Sequence, residues 1–292
     1  MKYACIDRRR DRYPIRMMCR LLNVSASGFY AWRTRPESPR AQQNRELMPK
    51  IRQVFKESKG VYGSPRIHAE LAAEGVQVGR NRIARLMRLE RLRGCPKRRF
   101  RVTTQRDPAH PVAKNLLKQD FKTNAPNQLW ASDITYISTK QGWLHLAVVM
   151  DLYSRRIVGW SMGRRMGRHL VLDALRMAIE ARQPEAPLIH HSDRGAQYTS
   201  EDFRAELAKH GIECSMSRSA NCYDNAVVES FFGVLKRERV NRVRYRTRDE
   251  ARADLFEYIE VFYNRKRRHG YLGNISPADF EERSAGYFGT VH

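Results

Sequence analysis

A mixed α/β core preceded by small all-α helix-turn-helix units is the fold class this sequence predicts, and three observations predict it. Helical apolar spacing dominates the first third of the chain, the rhythm becomes extended near residue 124, and helices then alternate with strands. At 292 residues and 41% hydrophobic composition, the chain can form two or three units with at least one sizeable core.

The elements follow in order. In "PIRMMCRLLNVSASGFYAWR", Ile15, Met18, Cys19 and Leu22 recur at helical spacing, "NVS" interrupts them, and Ser25 is placed to cap a second short helix. Residues 1–40 therefore read as a helix-turn-helix-like segment. A second such unit spans 41–95, where "SPRIHAELAAEG" puts Ile67 and Leu71 on one face and "RNRIARLMRLERLRG" turns Ile83, Leu86, Met87 and Leu89 inward. Its other face carries Arg82, Arg85 and Arg88 at three-residue steps, as a recognition helix presents donors to phosphates and base edges. A small bundle with a solvated basic face would show the same pattern. Residues 96–123 are aperiodic, basic and proline-containing, a linker in which Arg98 and Arg99 can follow a phosphate backbone.

Beyond residue 124, "NQLWASDITYIST", "GWLHLAVVMDL" and "RRIVGWSMG" read as three successive strands joined by short turns. "HLVLDALRMAIEAR" is an amphipathic helix, "APLIHHSD" a fourth strand, "SEDFRAELAKHG" a helix and "IECSMS" a fifth strand. A last helix carrying Glu229 completes a core over 124–240, and residues 241–292 form a helical extension of it. Three antiparallel strands followed by helix, strand, helix, strand and helix describe a mixed sheet of the ribonuclease H type.

Charge narrows the function. The 55 Lys and Arg against 31 Asp and Glu give a formal +24 spread along most of the chain, which points to a polyanion, most simply nucleic acid. The N-terminus has no apolar signal region, and the longest apolar run, "LHLAVVM", is too short to span a bilayer, so a cytoplasmic, nucleoid-associated protein with no membrane partner is expected. Five cysteines without a C-x-x-C pair read as reduced thiols, and His210, Cys214 and Cys222 lack a fourth ligand at zinc-like spacing.

Three acids stand out. Asp133 lies within the first strand, Asp193 just past the fourth, and Glu229 between Val228 and the pair Phe231 and Phe232 on what reads as the buried side of a helix. Burying an ionised carboxylate costs several kcal/mol unless it is paired, so Glu229 needs a partner. Taken singly, each acid has a structural explanation: a strand-end turn, an Asx-turn in "SDRG", a helix-surface acid. In this order of elements, however, the first and fourth strands can lie side by side with the helix across them, which brings the three acids to one edge. Converging carboxylates either take up a proton or become hard oxygen ligands for Mg²⁺ or Mn²⁺, and two such ions about 4 Å apart can hold a scissile phosphate. Asp151, at the end of the second strand, reads as a turn or supporting residue near that edge. Asp224 and Asn225 read as caps of the Glu229 helix, Asn225 also facing substrate. His190 and His191 beside Ser192 suggest a serine nucleophile only weakly, because neighbours on a strand point to opposite faces.

"WASDITYI", "HHSDRGAQYTS" and "NCYDNAVVESFFGVLKRE" resemble the three signatures of the DDE transposases related to retroviral integrases, with 35 residues between Asp193 and Glu229. More narrowly, the stretches from "MCRLLNVSASGFYAW" through "YGSPRI" and "GWLHLAVVMDLYSRRIVGW" to "YIEVFYNRKRRHGYLGNISPADFE" are similar to the second-reading-frame protein of insertion-sequence family three. The resemblance implies a ribonuclease H-like core that cleaves insertion-sequence ends and transfers the strands to target DNA. Asp133, Asp193 and Glu229 would hold two Mg²⁺, with Mn²⁺ as an alternative. It makes Lys236, seven residues and about two helical turns beyond Glu229, a phosphate-binding cation on the same face. It also gives Arg267 and His269, in "YNRKRRHGYLG", a role in contacting DNA. It implies a homo-oligomer assembled on DNA, working with the upstream-reading-frame protein or as a fusion with it. No a/d heptad run appears here, and neither does the His-His-Cys-Cys zinc unit of retroviral integrases. Two rivals remain: a DNA-binding regulator without chemistry, and a tyrosine recombinase with Tyr271 as nucleophile.

Overall fold

The computed structural model describes residues 2–96, 123–185, 187–217 and 226–288; Arg98, Arg99, Asp224 and Asn225 lie outside them. The core is a five-stranded sheet of β1 (Leu129–Thr139), β2 (Gly142–Asp151), β3 (Ile157–Gly163), β4 (Leu188–Ser192) and β5 (Ile212–Met216), in the order β3-β2-β1-β4-β5. β1 with β2 and β2 with β3 pair antiparallel, as short connections allow, whereas β1 with β4 and β4 with β5 pair parallel. The parallel steps need crossovers, and two of the helices in this region, named below, provide them.

Among the described residues six helices precede the sheet: α1 (Lys2–Arg9), α2 (Ile15–Leu21), α3 (Ala26–Thr34), α4 (Pro39–Glu57), α5 (Ser64–Ala73) and α6 (Arg80–Leu89). Ile6, Met18, Cys19 and Phe29 form a small core for the first three, and Ser25 caps α3 by accepting the Gly28 N–H at 3.2 Å. The next three share a second core of Leu47, Ile51, Ile67, Leu71, Ile83 and Leu86. Leu89, expected inward, is 70% exposed, because it closes α6 just past the stripe that packs on α4 and α5.

Helix α7 (Arg168–Arg182) connects β3 to β4, and α8 (Glu201–Lys209) connects β4 to β5. Both cover one sheet face, packing on Trp130, Ala147, Val149 and Leu188. β3 meets α7 so closely that a Cβ on Gly159 would stand 2.2 Å from the Ala174 carbonyl oxygen, so only glycine fits there. The opposite face carries Leu129, Ala131, Ile137, Leu146 and Val148. It is covered by α9 (Ala226–Glu238) and by α10 (Arg248–Phe256), which runs on as a π-helical segment over Glu257–Tyr263. The chain closes with α11 (Pro277–Phe288).

The second helical unit sits directly on this C-terminal part. The Tyr62 hydroxyl donates to the Lys266 carbonyl (3.2 Å) and accepts from the Arg268 N–H (2.9 Å). Arg268 pairs with Glu70 at 2.7 Å, Lys59 pairs with Glu257, and Arg66 reaches Glu238 at the end of α9 (3.3 Å). Among the described residues no helix is long and apolar enough to cross a membrane.

Candidate active site

The parallel ladder places the two aspartates. The paired stretch ends with Ala131 opposite His191, so Asp133 and Asp193 each lie two residues beyond its end, the first still inside β1 and the second just past β4. Each is held by the backbone: the Ile134 N–H donates to Asp133 Oδ1 (2.7 Å), and the Gly195 N–H to Asp193 Oδ1 (2.9 Å). Beside them Ser132 Oγ and His190 Nε2 meet across the strands at 2.7 Å. Burial, and then the neighbouring His191, push the His190 imidazole down to about 3, so it is a neutral brace and not a base for a serine nucleophile. Ser192 is itself sealed in the sheet.

Glu229 enters from the first turn of α9, which packs across β1. Val228, Phe231 and Leu235 are buried against the sheet and set the helix azimuth, which leaves Glu229 half-buried on the flank of that stripe.

Charge couples the three acids. Burial first, then the charge of Asp193, with Glu229 adding to it, push Asp133 up to about 8 against the opposing Ile134 N–H and Lys236. Glu229 is also raised, by desolvation and then by Asp193. Asp193 is raised by desolvation as well, but it stands open to solvent, where water screens the effect, so Asp133 is the firmer indicator. Among the described residues no three Asp, Glu, His or Cys side chains are gathered tightly enough to enclose a single ion. The donor set itself, carboxylate oxygens from three elements, is the chemistry that a hard divalent cation takes. Tyr198 stands behind this edge, fully buried beside His190 and Phe203; it senses the charges of Asp133 and Asp193, and its hydroxyl meets no hydrogen-bond partner among the described residues.

The other expected site residues divide. The Lys236 ammonium lies 4.7 Å above the centre of the Tyr136 ring and interacts with the charge of Asp133, which brings it to the acids. Arg85 and Arg88 are exposed, and no hydrogen bond or ion pair engages them among the described residues; Arg88, Arg91 and Arg93 line one cleft with Gly63 and Ser64. Arg82 is different. Its Nε donates to Asn44 Oδ1 (2.8 Å) and its terminal nitrogens reach Gln43 and the Arg40 carbonyl, so it ties α6 to α4 instead of facing solvent.

Arg267 and His269 are engaged within the protein. Arg267 is 3% exposed and grips Glu238 with two 2.7 Å hydrogen bonds, an arrangement that compensates both charges inside the protein. His269 packs edge-on against Tyr263, and burial, then Arg267 and Arg66, push it down to about 2. Asp151 is also no neighbour of the acids. It pairs with Trp130, three residues along β1 from Asp133, and accepts the N–H groups of Asn127 (2.8 Å) and Tyr153 (2.9 Å), so its carboxylate organises two loops. Tyr271 is 70% exposed with Arg155 stacked on its ring at 4.4 Å, while the nearby Arg267 and His269 are engaged within the protein, so among the described residues no recombinase constellation forms around it.

The family models agree with this geometry. Residues 123–222 match the integrase core domain, 229–284 match a second integrase core domain model, and 42–100 match an HTH-like domain. The transposase InsF for insertion sequence IS3A of Escherichia coli (strain K12) is 44% identical over 287 residues, covering 97% of this chain and 99% of the relative. The chain belongs to the IS3 insertion-sequence transposases. A Shigella sonnei relative, the uncharacterized 31 kDa protein of insertion element IS600, is 48% identical over 266 residues, covering 91% of the transposase and 98% of the relative. Among solved structures, the HTLV-2 integrase catalytic core domain in complex with magnesium (trimeric form) aligns at 17% identity and a TM-score of 0.43, over 55% of the transposase and 99% of that chain. The transposase is thus a polynucleotidyl transferase acting on DNA, with a ribonuclease H-like core and an HTH-like unit before it.

Proposed function

We propose that the transposase cleaves DNA at the ends of its insertion sequence and transfers the freed strands, with Asp133, Asp193 and Glu229 as the catalytic acids. What supports this reading is the placement of the acids: Asp133 lies inside β1, Asp193 just past the neighbouring parallel β4 and Glu229 on the helix across β1, with Lys236 coupled to Asp133. Such a set calls for divalent metal, Mg²⁺ or Mn²⁺ and two ions per site, which when bound would neutralise the scissile phosphate and activate the attacking oxygen.

The chain's own contribution is rigidity and charge. Backbone donors engage one oxygen of Asp133 and one of Asp193, leaving the other of each for a ligand. The buried stripe of α9 fixes Glu229, and Lys236 offers its charge to a phosphate beside them. Arg85 and Arg88 on α6 hold the DNA backbone, while Arg98, Arg99 and Asn225 keep the roles the resemblance implies. The working form is a homo-oligomer on DNA, joined by the upstream-reading-frame protein or fused to it.

Incubating purified protein with labelled end-containing DNA and Mg²⁺ tests this. Asp133→Asn, Asp193→Asn and Glu229→Gln should each lower cleavage and joining by about 10²–10³-fold or more while DNA binding persists. Full activity in any of the three would remove that residue from the catalytic set.

A further inference from the structure

We infer that Tyr136 and Trp143 form a stacking platform for an unpaired nucleobase of the DNA, next to the catalytic acids. The inference rests on the transposase reading but uses residues outside the acidic triad.

The two rings lie on neighbouring strands. In the β1–β2 register Tyr136 faces His145 and Ser138 faces Trp143, so Tyr136 and Trp143 are diagonal neighbours on the same sheet face. Their rings meet edge to face, with centroids 5.0 Å apart and an interplanar angle of 81°. Both are left in water, Tyr136 57% and Trp143 52% exposed, although the same strands bury nearly every other large apolar side chain. Apolar area left exposed forgoes about 25 cal/mol per Å², and a paired aromatic patch of this kind marks an interaction surface.

Charge identifies the occupant. Lys236 sits over the Tyr136 ring at 4.7 Å, Lys140 occupies the exposed turn between β1 and β2, and Arg248 donates to the Trp143 carbonyl oxygen at 3.0 Å. Aromatic faces set among cations are how proteins hold single-stranded nucleic acid: bases stack whatever their sequence, and the cations take the phosphates. The base must be unpaired, since a base within a duplex is already stacked on both faces.

The position suits the chemistry. Tyr136 is three residues from Asp133 along β1, about 10 Å at the usual rise per residue, and projects from the other face of the strand, so the two meet around its open edge and not across one face. Beyond position 131 no β4 partner covers that edge of β1, and Lys236 approaches Tyr136 there. Lys236 therefore joins the two sites: it senses Asp133 and caps the platform. A nucleotide released from pairing at the cleaved end would be held by its base while the adjoining phosphate lies at the acids.

The test uses the full chain without divalent metal, so that binding is read apart from chemistry. Affinities are measured for a short duplex of arbitrary sequence carrying a single-stranded extension with 2-aminopurine, and for the same duplex blunt-ended. The wild type should favour the extended duplex and quench the 2-aminopurine. Tyr136→Ala and Trp143→Ala should each reduce that preference by about ten-fold or more and relieve the quenching, whereas Tyr136→Phe keeps both and thermal melting stays unchanged. Asp193→Asn should retain the preference, which distinguishes failure of the platform from failure of the catalytic assignment. Equal binding of blunt and extended duplexes by the wild type would overturn the inference. So would alanine variants that keep the preference, or that lose only self-association, which would make the patch a contact between copies.

Discussion

Helix α9 carries two glutamates, one in its first turn and one at its last residue, and they have opposite fates. Glu238 is 3% exposed and continues the stripe of Val228, Phe231 and Leu235, so of the two it is the carboxylate truly in the core. Burial alone would raise its pKa, but hydrogen bonds and charge from Arg267, the charge of Arg66 and the Tyr258 hydroxyl more than reverse this, and the net shift is downward. Glu229 is less buried, yet its pKa is raised, because desolvation is not offset by any cation and the charge of Asp193 adds to it. Burial and residue type therefore do not separate a structural acid from a functional one. Compensation does: the paired glutamate holds the fold together, and the uncompensated one is the candidate for a ligand.

The largest stability change should come from breaking the paired end of α9. Glu238→Gln or Arg267→Met strands a buried partner and should cost about 3–5 kcal/mol in denaturant unfolding, while Glu229→Gln leaves stability nearly unchanged or improves it. If Glu238→Gln cost as little as Glu229→Gln, the contrast would collapse.

A smaller effect should appear in the pH dependence at the unpaired end. Asp133 has a folded pKa of about 8 against an ordinary 3.8, so between these values the folded chain keeps a proton that the unfolded chain has lost. Stability from this group therefore falls as pH rises from about 4 to about 8. In metal-free buffer Asp133→Asn should melt above the wild type at pH 8, by about 2–4 °C for each kcal/mol recovered, with the gap closing toward pH 4. A gap that widened toward acid would contradict the assignment.

The smallest effect extends the rule to α6. Arg85→Ala or Arg88→Ala should flatten the dependence of log K on log salt by about one for each phosphate left without its cation. Arg82→Ala should leave that slope alone and loosen α6 from α4 instead.

Much of the core is legible in the sequence because local rules agree there. Alternation in "NQLWASDITYIST" and the apolar run of "GWLHLAVVMDL" are realised as β1 and β2, and the "SxSG" pattern at Ser25 as a capped helix. Helix α4 is not legible as an element: Pro49 inside it reads as a breaker, yet Leu47, Ile51 and Val54 bury enough to carry the helix through it. Nothing local announces the π-helical segment over Glu257–Tyr263 either, although it contains Tyr258, which bonds Glu238 at 2.9 Å. Arg82, Arg267 and His269 are engaged differently from the expectation for one reason: a charged side chain looks the same in sequence whether its partner is solvent, a ligand or a residue far along the chain.

Read alone, the chain establishes the order of strands and helices in the core, the positions of the three acids with their family signatures, and the excess of positive charge. Those depend on short-range periodicity and on motifs read within a few residues. The tertiary structure alone decided which charges are spent inside the protein and which face outward, since Arg66 and Glu238 lie 172 positions apart and Arg156 and Glu281 lie 125 apart. Pairing over such distances is set by how whole elements dock, and only the docked elements show that Glu238 is sealed by Arg267 while burial and nearby charge raise Asp133 and Glu229.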